Sequence, residues 1–122
     1  MEGPTDSKCG DTISDYISKV ANELPIDAVG LWQVVNTLRR SYGLNGAELY
    51  THIDKSVETL FAAGAVPVVG FGKRGAWRLA PGFEQQGRQR VEAVLNYLHR
   101  LRRDPDVGDL WFALPEFTEG AE

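Results

Sequence analysis

Gly70-Phe71-Gly72-Lys73-Arg74-Gly75 spells G-x-G-x-x-G after a run of valines, the spacing with which a backbone can wrap a dinucleotide pyrophosphate. That chemistry needs a helix next, whose first N–H groups receive the phosphates. Here Ala76-Trp77-Arg78-Leu79-Ala80 follows, alternating as a strand does, and Pro81 stops it. A protein-kinase glycine loop also sits in a hairpin, but the chain has no room for a kinase or its other motifs. The glycines therefore read as a turn, where they accept positive φ, and no nucleotide cofactor is expected.

Other reactive types are few. His52 and His99 fall on different predicted helices, and neither belongs to an H-x-x-x-H or H-E-x-x-H pattern. Glu48 and His52 are an i,i+4 pair, a spacing that usually makes a surface contact. A metal centre needs three or four convergent ligands, and no spacing supplies them. Cys9 has no base beside it, and as the single cysteine it cannot form an internal disulfide. The residues describe a protein that is not an enzyme, with no metal and no cofactor.

The remaining chemistry is charge beside aromatic surface. Residues 1–72 carry five basic and nine acidic side chains, residues 73–103 eight basic and two acidic, and residues 104–122 no basic and six acidic. Within the last stretch, DPDVGDLWFALPEF (104–117) sets Asp104, Asp106 and Asp109 before Trp111 and Phe112, with Glu116, Phe117 and Glu119 following. Carboxylates stay wet unless paired, whereas the aromatics can dock on the body of the fold. Such a segment makes an acidic rim around an aromatic centre, which is interface anatomy. Asp104, Asp106, Asp109, Trp111, Phe112, Glu116 and Glu119 are the expected partner-binding residues. In a competing account the acids neutralise Arg88, Arg90, Arg100, Arg102 and Arg103 of the same chain. A third is a mixed, solvated surface.

These residues must be positioned by one domain, since 122 residues are too few for two ordinary ones. Hydrophobic content of 43% and charged content of 25% are those of a globular protein. With no apolar run long enough for a membrane helix and no secretory pattern at the start, a cytoplasmic location is expected. Residues 1–10 read as a flexible segment, 11–117 as a globular domain and 118–122 as an acidic tail. Apolar residues at three- and four-residue steps predict helices over Asp11–Leu24 and Ile26–Tyr42. A third helix, over 46–63, has Asn45 and Glu48 at capping-box positions and Leu44 with Leu49 at those of a hydrophobic staple. Period two predicts strands at 65–69 and 76–80, with Pro67 arguing that the first is short or an edge. A fourth helix is expected over Phe83–Arg103, then a short strand or an extended tail over Asp109–Leu114. The fold class is α+β, mostly helical: a winged-helix-like arrangement of three helices, a β-hairpin and a C-terminal helix.

A winged helix invites a DNA-binding regulator as the alternative function. Its recognition helix would be residues 46–63, yet the outward side chains there are Glu48, Thr51, His52, Asp54, Lys55, Glu58 and Thr59, net −2 with His neutral. Duplex DNA presents about one negative charge per 1.7 Å, so carboxylates on that face oppose binding. Arg39 and Arg40 on the preceding helix only soften the objection, and nucleic acid is not the expected partner.

DAVGLWQVVNTLRR, LFAAGAVPVVGF and DPDVGDLWFALPEF, spread over residues 27–117, resemble small immunity proteins of bacterial polymorphic toxin systems, including those of contact-dependent growth inhibition. The resemblance implies a non-enzymatic protein that binds and blocks a toxin domain delivered by a neighbouring cell, and it assigns no site residues. Many such toxins are nucleases with basic clefts, which an acidic inhibitor can occupy by charge complementarity. The expected partner is therefore a basic toxin domain, a nuclease, with no membrane involved.

Overall fold

A computed structural model of the chain describes residues 12–70 and 77–118. Helix α1 (Ile13–Lys19) opens with a capping box: Thr12 Oγ1 accepts from Asp15 N at 3.1 Å, and Asp15 Oδ2 accepts from Thr12 N at 3.3 Å. A 3₁₀ turn, Val20–Glu23, completes the predicted segment and buries Val20.

The second helix, expected from Ile26, begins only at Leu31, the first residue of its apolar stripe. Val29–Gly30 is a strand, β1, and α2 spans Leu31–Arg40. Two bonds account for the switch. Gly30 N donates to Gln33 Oε1 at 2.8 Å, satisfying the helix entry from within, and Leu31 N donates to Leu110 O at 3.0 Å, an acceptor about eighty residues away along the chain. Leu31, Val34, Val35 and Leu38 do form the buried face.

Helix α3 (Gly46–Ala62) lies where expected, without its capping box. The box needs right-handed backbone at the first helical residue, and Gly46 stands at φ +59°, so the Asn45 side chain makes no capping bond. Burial of Leu44 and Leu49 at the staple positions holds the entry instead. The exit is a Schellman motif, with Ala65 N on Leu60 O at 3.1 Å, Gly64 N on Phe61 O at 2.9 Å and Gly64 at φ +100°.

Strands β2 (Val66–Val69) and β3 (Arg78–Leu79) pair antiparallel, Val68 opposite Leu79. The glycine turn between them, with Gly72, Lys73, Arg74 and Gly75, lies outside the described residues. Helix α4 spans Arg88–Leu101, shorter at both ends than Phe83–Arg103. At its start the Phe83 carbonyl is held by Arg90 Nε at 3.0 Å, so the chain from 83 to 87 crosses the helix rather than joining it. At its end Arg102 takes the left-handed conformation, φ 57°.

Residues Trp111–Ala113 form a strand, β4, and the 3₁₀ turn Pro115–Phe117 follows. The sheet order is β1-β4-β2-β3, antiparallel throughout. Pro67 consequently sits in an interior strand, not an edge. Its carbonyl accepts from Ala80 N at 3.0 Å, and a strand residue's N–H and C=O point the same way. The missing N–H thus faces β3, beyond its two paired residues, and the pairing with β4 loses no donor. The fold is α+β: among the described residues, four α-helices with a four-stranded sheet.

One sheet face carries Phe112, fully buried with Leu31, Leu38, Ile53, Leu60 and Leu110 in the main core. The other carries Val68, Ala113 and Trp77, with Trp111 and Phe117 packed against them. Alternation along β4 therefore sends Phe112 inward and Trp111 to the opposite face.

Candidate interaction surface

The acidic stretch is a hydrogen-bonded loop. Arg103, just past α4, forks onto Asp109: Nη1 to Oδ2 at 2.8 Å and Nη2 to Oδ1 at 3.2 Å. Asp109 Oδ2 also accepts from Asp106 N at 2.8 Å, while Asp109 N donates to Asp106 O at 3.0 Å. Asp106 Oδ1 in turn accepts from Gly108 N at 2.9 Å, an Asx turn. Asp109 is the hub, its side chain only 13% exposed. The Arg103 guanidinium, followed by the Asp106 amide, holds its carboxyl below the usual aspartate value despite the opposing effect of burial.

Asp104 fastens the loop to α2 through Arg39 Nε, 2.8 Å from Oδ2, and Pro105 and Leu110 are buried on either side of the turn. The side chains of Asp104 and Asp106 remain 52% and 69% exposed. Arg103 comes no nearer to Asp106 Oδ2 than 3.7 Å. Glu116 is exposed on the 3₁₀ turn, and Glu119 lies outside the described residues.

The two aromatics have different positions. Phe112 is wholly inside, edge-on to Phe61 with centroids 5.7 Å apart, so it can anchor the segment without touching a partner. Trp111 is half-buried: its indole Nε1 donates to Val107 O at 2.9 Å and its ring lies 5.1 Å from that of Trp77. Gly30 makes this packing possible. A Cβ there would stand 2.6 Å from Trp32 Cδ1 and 3.3 Å from Trp111 Cδ2, so both indoles use the space a side chain would fill. Val107, 64% exposed, crowns the loop.

The competing account holds in part. Arg103 is neutralised by Asp109, but Arg88 is met by Asp54 and Glu58 of α3 and Glu92 of its own helix. Arg90 lies over the Phe61 ring, 5.6 Å from its centroid. Among the described residues Arg100 and Arg102 pair with no acid. Sequence reasoning missed Arg39 as the partner of Asp104: the two lie 65 positions apart, and no periodic signal links them.

Loop and helix enclose a groove of about 490 Å³, with Trp32, Val35, Asn36 and Arg40 on the α2 side and Asp104 to Val107 opposite. Cys9 lies outside the described residues, and the two histidines make ordinary structural contacts. His52 Nδ1 meets the Glu48 backbone carbonyl at 2.8 Å rather than its carboxylate, and His99 Nδ1 lies 3.2 Å from the Tyr50 hydroxyl. Among the described residues no group of three or more His, Cys, Asp or Glu is arranged to hold a metal ion, and no helix is long and apolar enough to cross a membrane.

Comparison of the chain with protein-family models, with curated proteins and with solved structures finds no match.

Proposed function

We propose that the chain is a non-enzymatic immunity protein that binds a cognate toxin domain, a basic nuclease, through the surface built by residues 104–111. The observation that carries this reading is the preorganisation of that surface. Arg103, Asp106 and Asp109 hold the loop in one shape before any partner arrives, with Val107 exposed and Trp111 part-exposed beside the carboxylates. A loop already ordered loses little entropy on association, and that cost is what limits affinity at many interfaces. Exposed Asp104, Asp106 and Glu116 act on the encounter rate with a cationic partner, and Trp111 and Val107 act on its lifetime.

The arrangement of α1–α3, hairpin and α4 is read here as winged-helix-like, with function carried by the loop rather than by α3. The outward acids Asp54 and Glu58 of α3 engage Arg88, and Glu48 is exposed, so that face offers a duplex little. Inspection of the neighbouring reading frames for a toxin domain, then co-expression with it, co-purification and a survival assay, tests the proposal. Protection of cells with a stoichiometric complex is the expected result. Specific duplex binding at physiological salt without protection would replace it with the regulator.

A further inference from the structure

The groove between α2 and the loop has a chemical polarity that points to its occupant. Its walls are largely apolar, from the Trp32 ring, Val35, Pro105 and Val107. The charged groups sit at different walls: Arg40 belongs to α2, and Asp104 and Asp106 belong to the loop. Both carboxylates keep unused acceptor positions. Asp104 gives one oxygen to Arg39, and Asp106 gives one to the Gly108 amide while Arg103 remains at 3.7 Å. An ionised carboxylate can accept about four hydrogen bonds.

We propose that this groove seats a long cationic side chain, arginine or lysine, presented by the partner protein. The inference deepens the immunity reading and rests on it. The methylene stem of such a side chain covers the exposed parts of Trp32 and Val107, which water wets poorly, while its head reaches Asp106. Arg40 repels the head from the α2 wall and so fixes its direction along the groove. An arginine head matches the open carboxylate edge with two parallel N–H donors. An apolar partner residue would leave Asp106 and Asp104 facing it with their lone pairs unmatched.

The test uses the full chain and Nα-acetyl-arginine methylamide as probe, with the isosteric, neutral citrulline compound as control. Titration is followed by the indole and amide resonances of the ¹⁵N-labelled protein. Saturable shifts at Trp32, Asp106 and Val107 are expected with a dissociation constant in the millimolar range, as for any fragment of this size. Asp106→Asn keeps the acceptor for Gly108 N and removes the charge, so it should weaken binding about two- to fivefold, the effect of an exposed ion pair. Val107→Ser should weaken arginine and citrulline compounds alike. Equal binding of the two compounds to the unaltered protein, or shifts confined to other surfaces, would overturn the proposal. So would sedimentation showing a dimer in which the groove is covered by a second copy. Cell survival, read with toxin affinity, separates this inference from the reading beneath it. Protection by the unaltered protein, with the toxin bound as tightly by Asp106→Asn and Val107→Ser as by the unaltered chain, removes the groove and leaves immunity standing. Arginine-selective binding without protection leaves the groove and removes immunity.

Discussion

Replacing Asp109 by alanine is the sharpest test of the idea that the loop is built before it binds. The substitution removes the acceptor of the Asp106 amide at 2.8 Å and both acceptors of the Arg103 fork. A hydrogen bond onto an ionised acceptor contributes about 1.5–3 kcal/mol. Taking the lower half for an amide near the surface, Asp109→Ala should cost about 1.5–2 kcal/mol, the solvent-screened Arg103 fork being left out of the sum. For a chain of this size that lowers Tm by roughly 6–8 °C, at about 4 °C per kcal/mol. Asp109→Asn retains an acceptor for the amide and should lose about half as much. The pH dependence follows from the sign of the shift. Since folding lowers the Asp109 pKa from 3.8, its stabilisation is fully present above that value and is lost as pH falls through the lower, folded one. Thermal melts by circular dichroism between neutral pH and about pH 2.5 should therefore show the gap between wild type and Asp109→Ala closing in acid. A gap below about 0.5 kcal/mol at neutral pH, the scatter of neutral surface substitutions, would mean that the hub does not hold the loop.

Phe112→Ala should cost about 3–5 kcal/mol in urea unfolding, because a wholly buried ring is replaced by a cavity at the centre of the sheet. A cost below about 2 kcal/mol would contradict its burial. Gly30→Ala should destabilise by about 1–3 kcal/mol, the range for overpacking, since its Cβ would lie 2.6 Å from Trp32 Cδ1. Near-UV circular dichroism should report the displaced indoles, and an unchanged spectrum would refute the close approach. Arg102→Gly should raise stability by about 1 kcal/mol by relieving the left-handed conformation at φ 57°, and a loss in the same unfolding assay would refute this.

What was legible in the sequence was whatever depends on local pattern. The stripes of α1 and α3, the strands flanking the glycines and the burial of Leu44 with Leu49 all rest on side chains a few residues apart. What escaped was set by distant partners. The helix expected from Ile26 gives way at Val29 and Gly30, which are strand because Phe112 and Trp111 are there to pair with them. The capping box at Asn45 had the right residue types and lacked only the backbone, which Gly46 turns the other way. The acidic aromatic segment was visible as a unit. Its division of labour was not, because period two alone cannot say which of Trp111 and Phe112 faces the helices. Nor can it reveal that Arg39 holds Asp104.

The place of β4 has a consequence for how the molecule comes into being. A hairpin formed by β2 and β3 can assemble as soon as residue 79 has been made, but β1 has no neighbour until residues 111–113 arrive between it and β2. Until then Val29 lacks its pairing and the Phe61 ring lacks the one it packs against. During synthesis the helical half therefore stays open along one side until β4, the last of the described strands, arrives. The same strand carries the Trp111 edge of the loop surface. Closure of the sheet and completion of that surface are a single event, so a chain that has not finished folding does not display it.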